Sequence, residues 1–393
     1  MRQLKNSPFY KVLLREIKRM TSHKTYLFIT LIGPLLSFIV VMNIFVAGVP
    51  SSLPVAVIDN DQSASSRKLI RMIDATRIAH ITETPESLEK GRDLMLKGLC
   101  DAVIVIPGNF EADVLRGSSS QVTLLVNNTN VVKGGLLQSG IYKTVSTFST
   151  GVKVQTAMKS GAEESQALEQ VYAIRLDSRP LFNPYTNYSY FIATALMPLL
   201  VVVFTLLGSI YTIGMEIRTG SGRSWLQTAN NSITTALAGK LLPYIFLMLV
   251  NVAVMNYIMV HHLGFPLKGY WGAIMLGQLL LIIAYQMVGV VMLSITGNTR
   301  LSLSLASAYA MMAFTFSGLT FPIIGMPLIA KIFAHLFPFT YWMELFIGQG
   351  LRGEPLLQTI LPLLALILFC LMGWLMTGRL KQIVNNPLYR NKI

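Results

Sequence analysis

Six apolar runs divide this chain, and they constrain its fold more than any other feature. A helix needs about 20 apolar residues to cross the hydrocarbon core of a membrane, so each run predicts one spanning helix. Charged residues make up 13% of the chain, where a soluble domain carries roughly 25%. The sequence therefore predicts an α-helical polytopic membrane protein with six transmembrane helices. The predicted spans are Thr25–Ala47, Tyr188–Ile213, Thr235–Val260, Trp271–Ile295, Leu301–Thr320 and Leu356–Thr377.

The distribution of lysine and arginine predicts the direction of these spans. The first 24 residues carry seven basic residues and one acid, Glu16, and the tail 379–393 carries four basic residues and no acid. The polar block 49–186 holds 14 basic and 14 acidic residues, so the formal net charge of +14 lies outside it. Basic segments stay in the cytoplasm, which predicts that both termini are inside and the block is outside. This basicity sets topology, and since no basic-aromatic patch accompanies it, we expect no nucleic-acid partner.

The chain divides into five segments on this basis. Residues 1–24 predict an amphipathic cytoplasmic helix at the membrane surface, with Leu13, Ile17 and Met20 on its apolar face. The alternative for this segment is a solvated basic tail that serves topology alone. The other segments are a first transmembrane helix at 25–48, an extracytoplasmic domain at 49–186, transmembrane helices 2–6 at 187–378, and a cytoplasmic basic tail at 379–393.

The polar block predicts an inserted α/β domain, because short β-branched runs alternate with helical patterns. A small mixed or parallel sheet is expected. From about Val132 to Arg175 the pattern is polar and helical, and we expect long helices that return the chain to the membrane. The predicted strands are Leu53–Ile58, Ala102–Ile106 and Val122–Val126, and the predicted helices are Ser63–Thr76, Glu86–Gly98 and Asn109–Arg116.

The segment 321–353 is apolar and aromatic but interrupted by prolines, which forbid one continuous helix. We expect short re-entrant helices in the outer leaflet, packed on protein, that close the exit of a pathway. The alternative is an aromatic loop at the membrane interface. The candidate gate residues are Pro322, Pro327, Pro338, Tyr341 and Glu344.

Three groups of motifs resemble the membrane subunit of ABC-2 type exporters, in the branch with a large extracytoplasmic domain after the first span. They follow one another in the expected order over nearly the whole chain. The first group is Val55–Asp61, Cys100–Phe110 and Val126–Asn130; the second is Glu216, Gly220, Gly239-Lys240 and Pro243-Tyr244; the third is Ser317-Gly318, Phe321-Pro322, Met326-Pro327, Pro338, Thr340-Tyr341 and Leu351–Gly353.

The resemblance implies ATP-driven export of an amphipathic, lipid-like or drug-like compound from the cytoplasm or inner leaflet. The chain has no GxxxxGK[ST] phosphate loop, so ATP and Mg would be bound by a separate ABC ATPase. The resemblance also implies a location in a bacterial inner membrane. It implies pairing with a second copy or a paralogous permease, with a periplasmic adaptor as a further candidate partner. No cluster of residues predicts catalysis or a metal site. The alternative is a scaffold or sensor whose external domain binds a ligand or an envelope partner without transport.

The inner loop 215–231 is the expected contact with the ATPase. Trp225 is predicted to be an anchor in a groove of the partner, or else an interfacial tryptophan. Glu216 is predicted to be a hinge paired with Arg218 or Lys240, or else a capping or snorkelling charge. The candidate coupling residues are Glu216, Arg218, Gly220, Arg223, Trp225 and Leu226.

Polar residues within the predicted spans are few. We expect them to form hydrogen bonds between helices, and the alternative is that they line a substrate pathway. They are Asn43, Asn251, Asn256, Gln278 and Gln286.

Overall fold

The computed structural model describes residues 7–45, 48–159, 181–183 and 187–389. The chain forms two compact units: a membrane unit, Met1–Gly48 with Pro180–Ile393, and a sheet unit, Val49–Arg179. The outermost residues of both predicted basic tails, and the predicted returning helices beyond residue 159, lie outside the described residues.

The elements are numbered in chain order. The strands are β1 Leu53–Asp59, β2 Ala79–Glu83, β3 Ala102–Ile106 and β4 Thr123–Val126. The helices are α1 Pro8–Ser22, α2 Lys24–Phe45, α3 Ala64–Asp74, α4 Leu88–Leu96, α5 Phe110–Arg116, α6 Val131–Lys159, α7 Tyr188–Arg218, α8 Gly222–Thr228, α9 Ile233–Tyr257, α10 Trp271–Thr296, α11 Thr299–Thr315, α12 Leu328–Ala334, α13 Pro338–Ile347, α14 Leu356–Leu375 and α15 Thr377–Asn385.

Five helical segments among the described residues are long and apolar enough to cross a membrane. They are Lys24–Phe45, Ser189–Arg218, Ile233–His262, Trp271–Thr296 and Leu356–Asn385. The polytopic helical architecture is therefore confirmed, and the chain also contains a small sheet.

The predicted span Leu301–Thr320 is represented by α11, which is shorter. It has 17 residues and ends at Thr315, a length of about 25 Å at 1.5 Å per residue. A bend follows it, in which Gly318 adopts a φ of 86°. Six spans with both termini inside therefore remain a prediction.

The membrane unit is packed around α10, which contacts α7, α14, α11 and α13. Tyr285, near the middle of α10, is fully buried. Asn256 on α9 and Gln278 on α10 exchange two amide hydrogen bonds of 3.0 and 2.9 Å. For this pair the expected hydrogen bond between helices is confirmed, and Asn251 and Gln286 also donate to carbonyl oxygens of neighbouring helices, at Thr30 and Leu241. Asn43 instead donates to Ile39 within its own helix.

The sheet unit has four strands in the order β2-β1-β3-β4. Strand β1 pairs in parallel with β2 and β3, and β4 pairs antiparallel with β3. Val55 and Val57 belong to the core that contains α3 and α6 residues, while Ala56 and Ile58 belong to the core on the α4 side. Both faces of the central strands are thus covered, which accounts for their nearly continuous apolar sequence.

The predicted strand Ala102–Ile106 has the same bounds in the structure, and Ser63 caps α3 by accepting a hydrogen bond from the backbone N–H of Ser66 at 3.0 Å. Strand β2 was not predicted. Its residues are largely exposed and include His80 and Glu83, so they carry neither the apolar run of a central strand nor a regular alternation.

Candidate coupling site

Helix α1 packs against the rest of the chain through Val12, Glu16 and Met20. Of the residues predicted to face the membrane, Met20 is therefore buried in the protein, whereas Ile17 is 38% exposed, and the position of this helix at the membrane surface stays a prediction. The helix packs on α9 at Gly239, where a Cβ atom would come within 3.0 Å of the Val12 side chain. The absence of a side chain at Gly239 lets the two helices approach closely enough for Glu16 to enter the protein.

Glu216, near the end of α7, is fully buried and accepts hydrogen bonds from four side chains. Arg15 binds it in a bidentate manner, with Nη1 2.9 Å from Oε1 and Nη2 3.0 Å from Oε2. Arg19 Nη1 also donates to Oε1, and the Ser221 hydroxyl donates to Oε2. Lys240 Nζ on α9 lies 3.0 Å from Oε1. Because Glu216 has no exposed surface, the alternative of a snorkelling charge is wrong.

Lys240 joins Glu216 to the other buried acid, Glu16. Its Nζ is 2.5 Å from Glu16 Oε2, and Lys240 itself is fully buried. The Tyr244 hydroxyl, one turn further along α9, donates to Glu16 Oε1 at 2.7 Å. Of the two predicted partners of Glu216, Lys240 is therefore correct. Arg218 is exposed, and it forms no ion pair with Glu216 in the described part of the chain.

We call Arg15, Glu16, Arg19, Glu216 and Lys240 the charge cluster. It contains three basic and two acidic side chains from α1, α7 and α9. Buried charges are stable only when each is paired and its hydrogen bonds are satisfied, and removal of one partner from such a pair costs several kcal/mol. The three elements are therefore held in one arrangement, and none can shift without separating oppositely charged groups.

The loop after α7 places α8 beside this cluster. Gly220 follows the end of α7 with a φ of 69°, a left-handed conformation that glycine adopts without strain. A Cβ atom at Gly222 would come within 2.5 Å of Val384 on α15. Arg223 holds the same contact by donating from Nε and Nη2 to the carbonyl oxygen of Asn385, at 3.2 and 3.1 Å.

Trp225 and Leu226 are buried within this chain, with exposed fractions of 0% and 1%. Lys240 Nζ lies 5.3 Å from the centroid of the Trp225 ring, within the range of a cation–π contact. Because its ring is buried in its own chain, the prediction that Trp225 inserts into a groove of a partner is wrong. The alternative of an interfacial ring is wrong for the same reason. The exposed side chains of α8 are Arg223, Ser224 and Gln227.

The three prolines among the predicted gate residues lie at the beginnings of short helices. Pro322 precedes a 3₁₀ turn at Ile323–Gly325, Pro327 precedes α12, and Pro338 is the first residue of α13. A proline is accommodated at these positions because its missing N–H would have no helical partner there. The segment is therefore a series of short helices, as its prolines predict.

Tyr341 and Glu344 both lie on α13. Tyr341 is half-buried and Glu344 is exposed. Buried aromatic rings hold α13 in place: the centroids of Trp342 and Phe346 are 4.9 Å apart, and those of Phe346 and Phe265 are 5.3 Å apart.

Gln349, directly after α13, was missed by the sequence analysis. It is buried, accepts a hydrogen bond from the Tyr270 N–H at 2.9 Å, and donates to Thr359 Oγ1 at 2.9 Å. It thereby joins three segments of the membrane unit. No local pattern marks it, because its partners are distant in sequence.

The inward roles of Arg15, Glu16 and Arg19 were also missed, because basic residues near a first span are expected for topology alone. One signal was available: Glu16 is the single acid among seven basic residues. An isolated acid in such a segment is a candidate for a buried ion pair.

Comparison with known proteins gives one consistent result. The model of a family described as ABC-2 family transporter protein matches residues 24–378. Two curated relatives, in Escherichia coli strain K12 and in E. coli O157:H7, bear the name "Probable multidrug ABC transporter permease YbhS". The chain is 22% identical to each over 321 residues, which is 78% of this chain and 78% of the relative.

Proposed function

The chain belongs to the ABC-2 family of transporter proteins, and from this premise we propose that it is the membrane permease subunit of an ATP-driven exporter. The match over residues 24–378 is the observation that carries the proposal, because it includes both the membrane helices and the sheet unit. ATP and Mg are bound by a separate ABC ATPase, since this sequence lacks a phosphate loop.

We place the chain in a bacterial cytoplasmic membrane with six spans and both termini inside. The charge distribution supports this orientation, because the +14 excess lies at the ends and in the short joints while block 49–186 is neutral. In this orientation the charge cluster lies at the cytoplasmic ends of α7 and α9, and the sheet unit is outside. Helix α11 serves as the fifth span.

The ATPase contacts exposed residues at the end of α7 and on α8, among them Arg218, Ser224 and Gln227. Trp225 and Leu226 do not contact the ATPase, because they are buried in this chain. They pass the movement of α8 to the residues packed behind it, because α8 moves as one rigid body. A displacement of α8 is transmitted to Lys240 through the Trp225 ring, and from Lys240 to α1 and α7 through the ion pairs. Rigid elements joined by paired charges are a physical route for such coupling.

The segment 321–353 forms the outer gate, with the short helices α12 and α13 in the outer leaflet. Its surface supports this role: Ile324 and Ile329 are 88% and 83% exposed. Apolar side chains so exposed are stable against lipid or against a second permease. Glu344 faces the dimer interface or external water, because a lone carboxylate in hydrocarbon costs several kcal/mol.

The transported compound is amphipathic and lipid-like or drug-like. The multidrug description belongs to the two relatives, and the apolar walls of α7, α10 and α11 are compatible with such a compound. Two copies of the chain, or this chain with a paralogous permease, form the pathway at their interface. A periplasmic adaptor would bind the sheet unit.

Inside-out membrane vesicles test the proposal. Vesicles that contain the chain and its ATPase should accumulate an amphipathic fluorescent dye when ATP is added, and vanadate should abolish the uptake. Vesicles in which the phosphate-loop lysine of the ATPase is replaced should not accumulate the dye.

The second candidate, a non-transporting scaffold or sensor, is favoured by one observation: the separate fold of the sheet unit. It predicts equal dye levels with and without ATP for every amphiphile tested, together with binding of an envelope partner to the sheet unit.

A further inference from the structure

The sheet unit contains a cleft that the permease function does not require. It lies between α5, α6 and the loop that leads to β4, and its volume is about 650 Å³. This lies within the range of about 300–1,000 Å³ that is typical of small-molecule sites. Its walls are apolar and include Leu69, Phe110, Val114, Val145, Phe148 and Val152.

Helix α6 supplies one wall of the cleft because of the spacing of its apolar residues. Leu137 and Ile141 are buried in the core of the sheet unit, and Val145, Phe148 and Val152 continue the same stripe further along the helix. The ring of Phe148 stacks on that of Phe110, with centroids 5.8 Å apart. The second half of the stripe thus forms the floor of an open cleft, whereas the first half covers the sheet.

A second hollow adjoins the cleft along β4. Its volume is about 360 Å³, and it shares Val122 and Val145 with the larger one. Leu124 and Tyr142 line it. The two hollows form an elongated apolar surface, a shape that matches an extended chain better than a compact ring system.

The lip of the cleft is polar and carries one cation. Ser118, Ser119 and Ser120 lie on one side, and Lys153 is the one charged residue among those that line the cleft. Lys153 forms no ion pair with any residue the structure describes. The Ser120 Oγ is buried without a hydrogen-bond partner among the described residues. An unpaired cation and an orphaned hydroxyl that line the same cleft are complementary to a small anionic group.

We propose that this cleft binds a single-chain amphiphile with an anionic head group. The chain lies on the apolar floor between α5 and α6, and the head group accepts hydrogen bonds from Lys153 and from the hydroxyl of Ser120. Burial of the chain provides most of the affinity, in proportion to the apolar area removed from water. Lys153 provides the preference for an anion.

The test is photo-cross-linking of the full chain in nanodiscs of zwitterionic lipid. The probe is decanoic acid with a diazirine near the end of its chain, and labelled peptides are mapped by mass spectrometry. The label should appear in residues 110–122 and 141–157. Decanoate should compete for the site more strongly than decanol.

Two variants and two matched controls complete the test. Val145→Phe fills the floor and should reduce labelling at least tenfold. Lys153→Gln should raise the half-saturating concentration about three- to fivefold, the scale of an exposed ion pair. Lys143→Gln removes a charge and Gln155→Phe introduces a ring at exposed positions of α6 that do not line the cleft, and both should match the wild type.

Several results would overturn the proposal. Label confined to the membrane helices, or equal labelling of Lys153→Gln and the wild type, would each do so. If Val145→Phe cannot be recovered in folded form, the comparison of Lys153→Gln with Lys143→Gln decides alone. A Val145→Cys variant that forms a disulfide between two chains would show that the cleft is an interface between copies instead.

Discussion

Replacement of Lys240 by methionine should destabilise the protein by about 3–5 kcal/mol, the range measured when one partner of a buried ion pair is removed. Lys240 is fully buried, 2.5 Å from Glu16 and 3.0 Å from Glu216. At an effective dielectric constant of about 20, each of these contacts is worth about 5–7 kcal/mol of Coulomb attraction. Desolvation of the charged groups offsets much of this attraction in the native protein, but the variant keeps the desolvation of the acids without the attraction.

A double-mutant cycle separates the ion pair from general damage to the core. Glu16→Gln alone should destabilise by about 2 kcal/mol, because the hydrogen bond from Lys240 then goes to a neutral acceptor. In the double variant, Glu16 no longer carries an unpaired charge, while Glu216 keeps Arg15, Arg19 and Ser221. We expect it to lose no more than about 3 kcal/mol, so the coupling energy should be about 3 kcal/mol.

The assay is unfolding in mixed micelles with increasing dodecyl sulfate, followed by tryptophan fluorescence. Lys18→Met on the exposed side of α1 makes the same chemical change and should shift the free energy of unfolding by no more than about 0.5 kcal/mol. Strict additivity of Glu16→Gln and Lys240→Met, or a Lys240→Met variant as stable as Lys18→Met, would refute the argument that the cluster is held by paired charges.

Three further predictions address topology, the inner loop and the gate. A cysteine at Leu96, which is 75% exposed, should react with an impermeant maleimide in intact cells, whereas one at Ser224 should react only after permeabilisation. Trp225→Ala should lower the stability by about 3–5 kcal/mol, because the buried ring leaves a cavity, while Ser224→Glu should weaken binding of the ATPase without a change in stability. Glu344→Ala should reduce ATP-driven dye uptake at normal protein level and normal ATPase binding.

The native thiols give a low background in the topology experiment. Cys100 is 1% exposed, and burial raises the pKa of its thiol, with a further contribution from the charge of Asp101. A raised thiol pKa lowers the thiolate fraction at neutral pH, and the thiolate is the reactive form. Cys370 lies within the last candidate span. Labelling of the protein without an introduced cysteine would show that this reasoning is wrong.

Ser224 is a better labelling position than Ser221 for a structural reason. The Ser221 hydroxyl donates to Glu216 within the charge cluster, so a cysteine there would disturb the groups under study. Ser224 is exposed, and its side chain makes no contact with the cluster among the described residues.

The sequence predicted those elements whose signal is local. Strand β3 could be placed residue by residue because AVIVI is a β-branched apolar run between a charged residue and a Pro-Gly turn. Strand β2 was not predicted, because an edge strand with one partner needs little apolar surface. The prolines of segment 321–353 predicted its division into short helices, because the effect of proline on a helix is also local.

The charge cluster could be predicted only in part, because its contacts join residues that are far apart in sequence. The position of Glu216 at the end of an apolar run indicated a buried pair, with Arg218 or with Lys240 in the next span as the partner. The sequence does not predict that Arg15 and Arg19 bind Glu216. It also does not predict the orientation of α1 that points Glu16 toward Lys240. Hydrophobic periodicity placed Leu13, Ile17 and Met20 on a face toward the membrane, and it contains no information on the ion pairs that bring Glu16 into the protein.

Trp225 shows a related limit. A large aromatic residue in a short polar loop is equally typical of an interface anchor and of a plug that packs against its own chain. The sequence contains no signal that distinguishes the two, because Trp225 contacts Lys240 on α9, and α8 also packs on α1 and α15.

The central claim, that this chain is the permease of a transporter powered by a separate ATPase, is tested most directly by purification of the tagged chain from its native membrane. The measured quantities are the composition of the complex and its rate of ATP hydrolysis. We predict that an ABC ATPase with a phosphate loop co-purifies in equal amount, and that the complex hydrolyses ATP in a vanadate-sensitive manner. Recovery of the intact chain without an ATPase, and without ATP hydrolysis, would contradict the account.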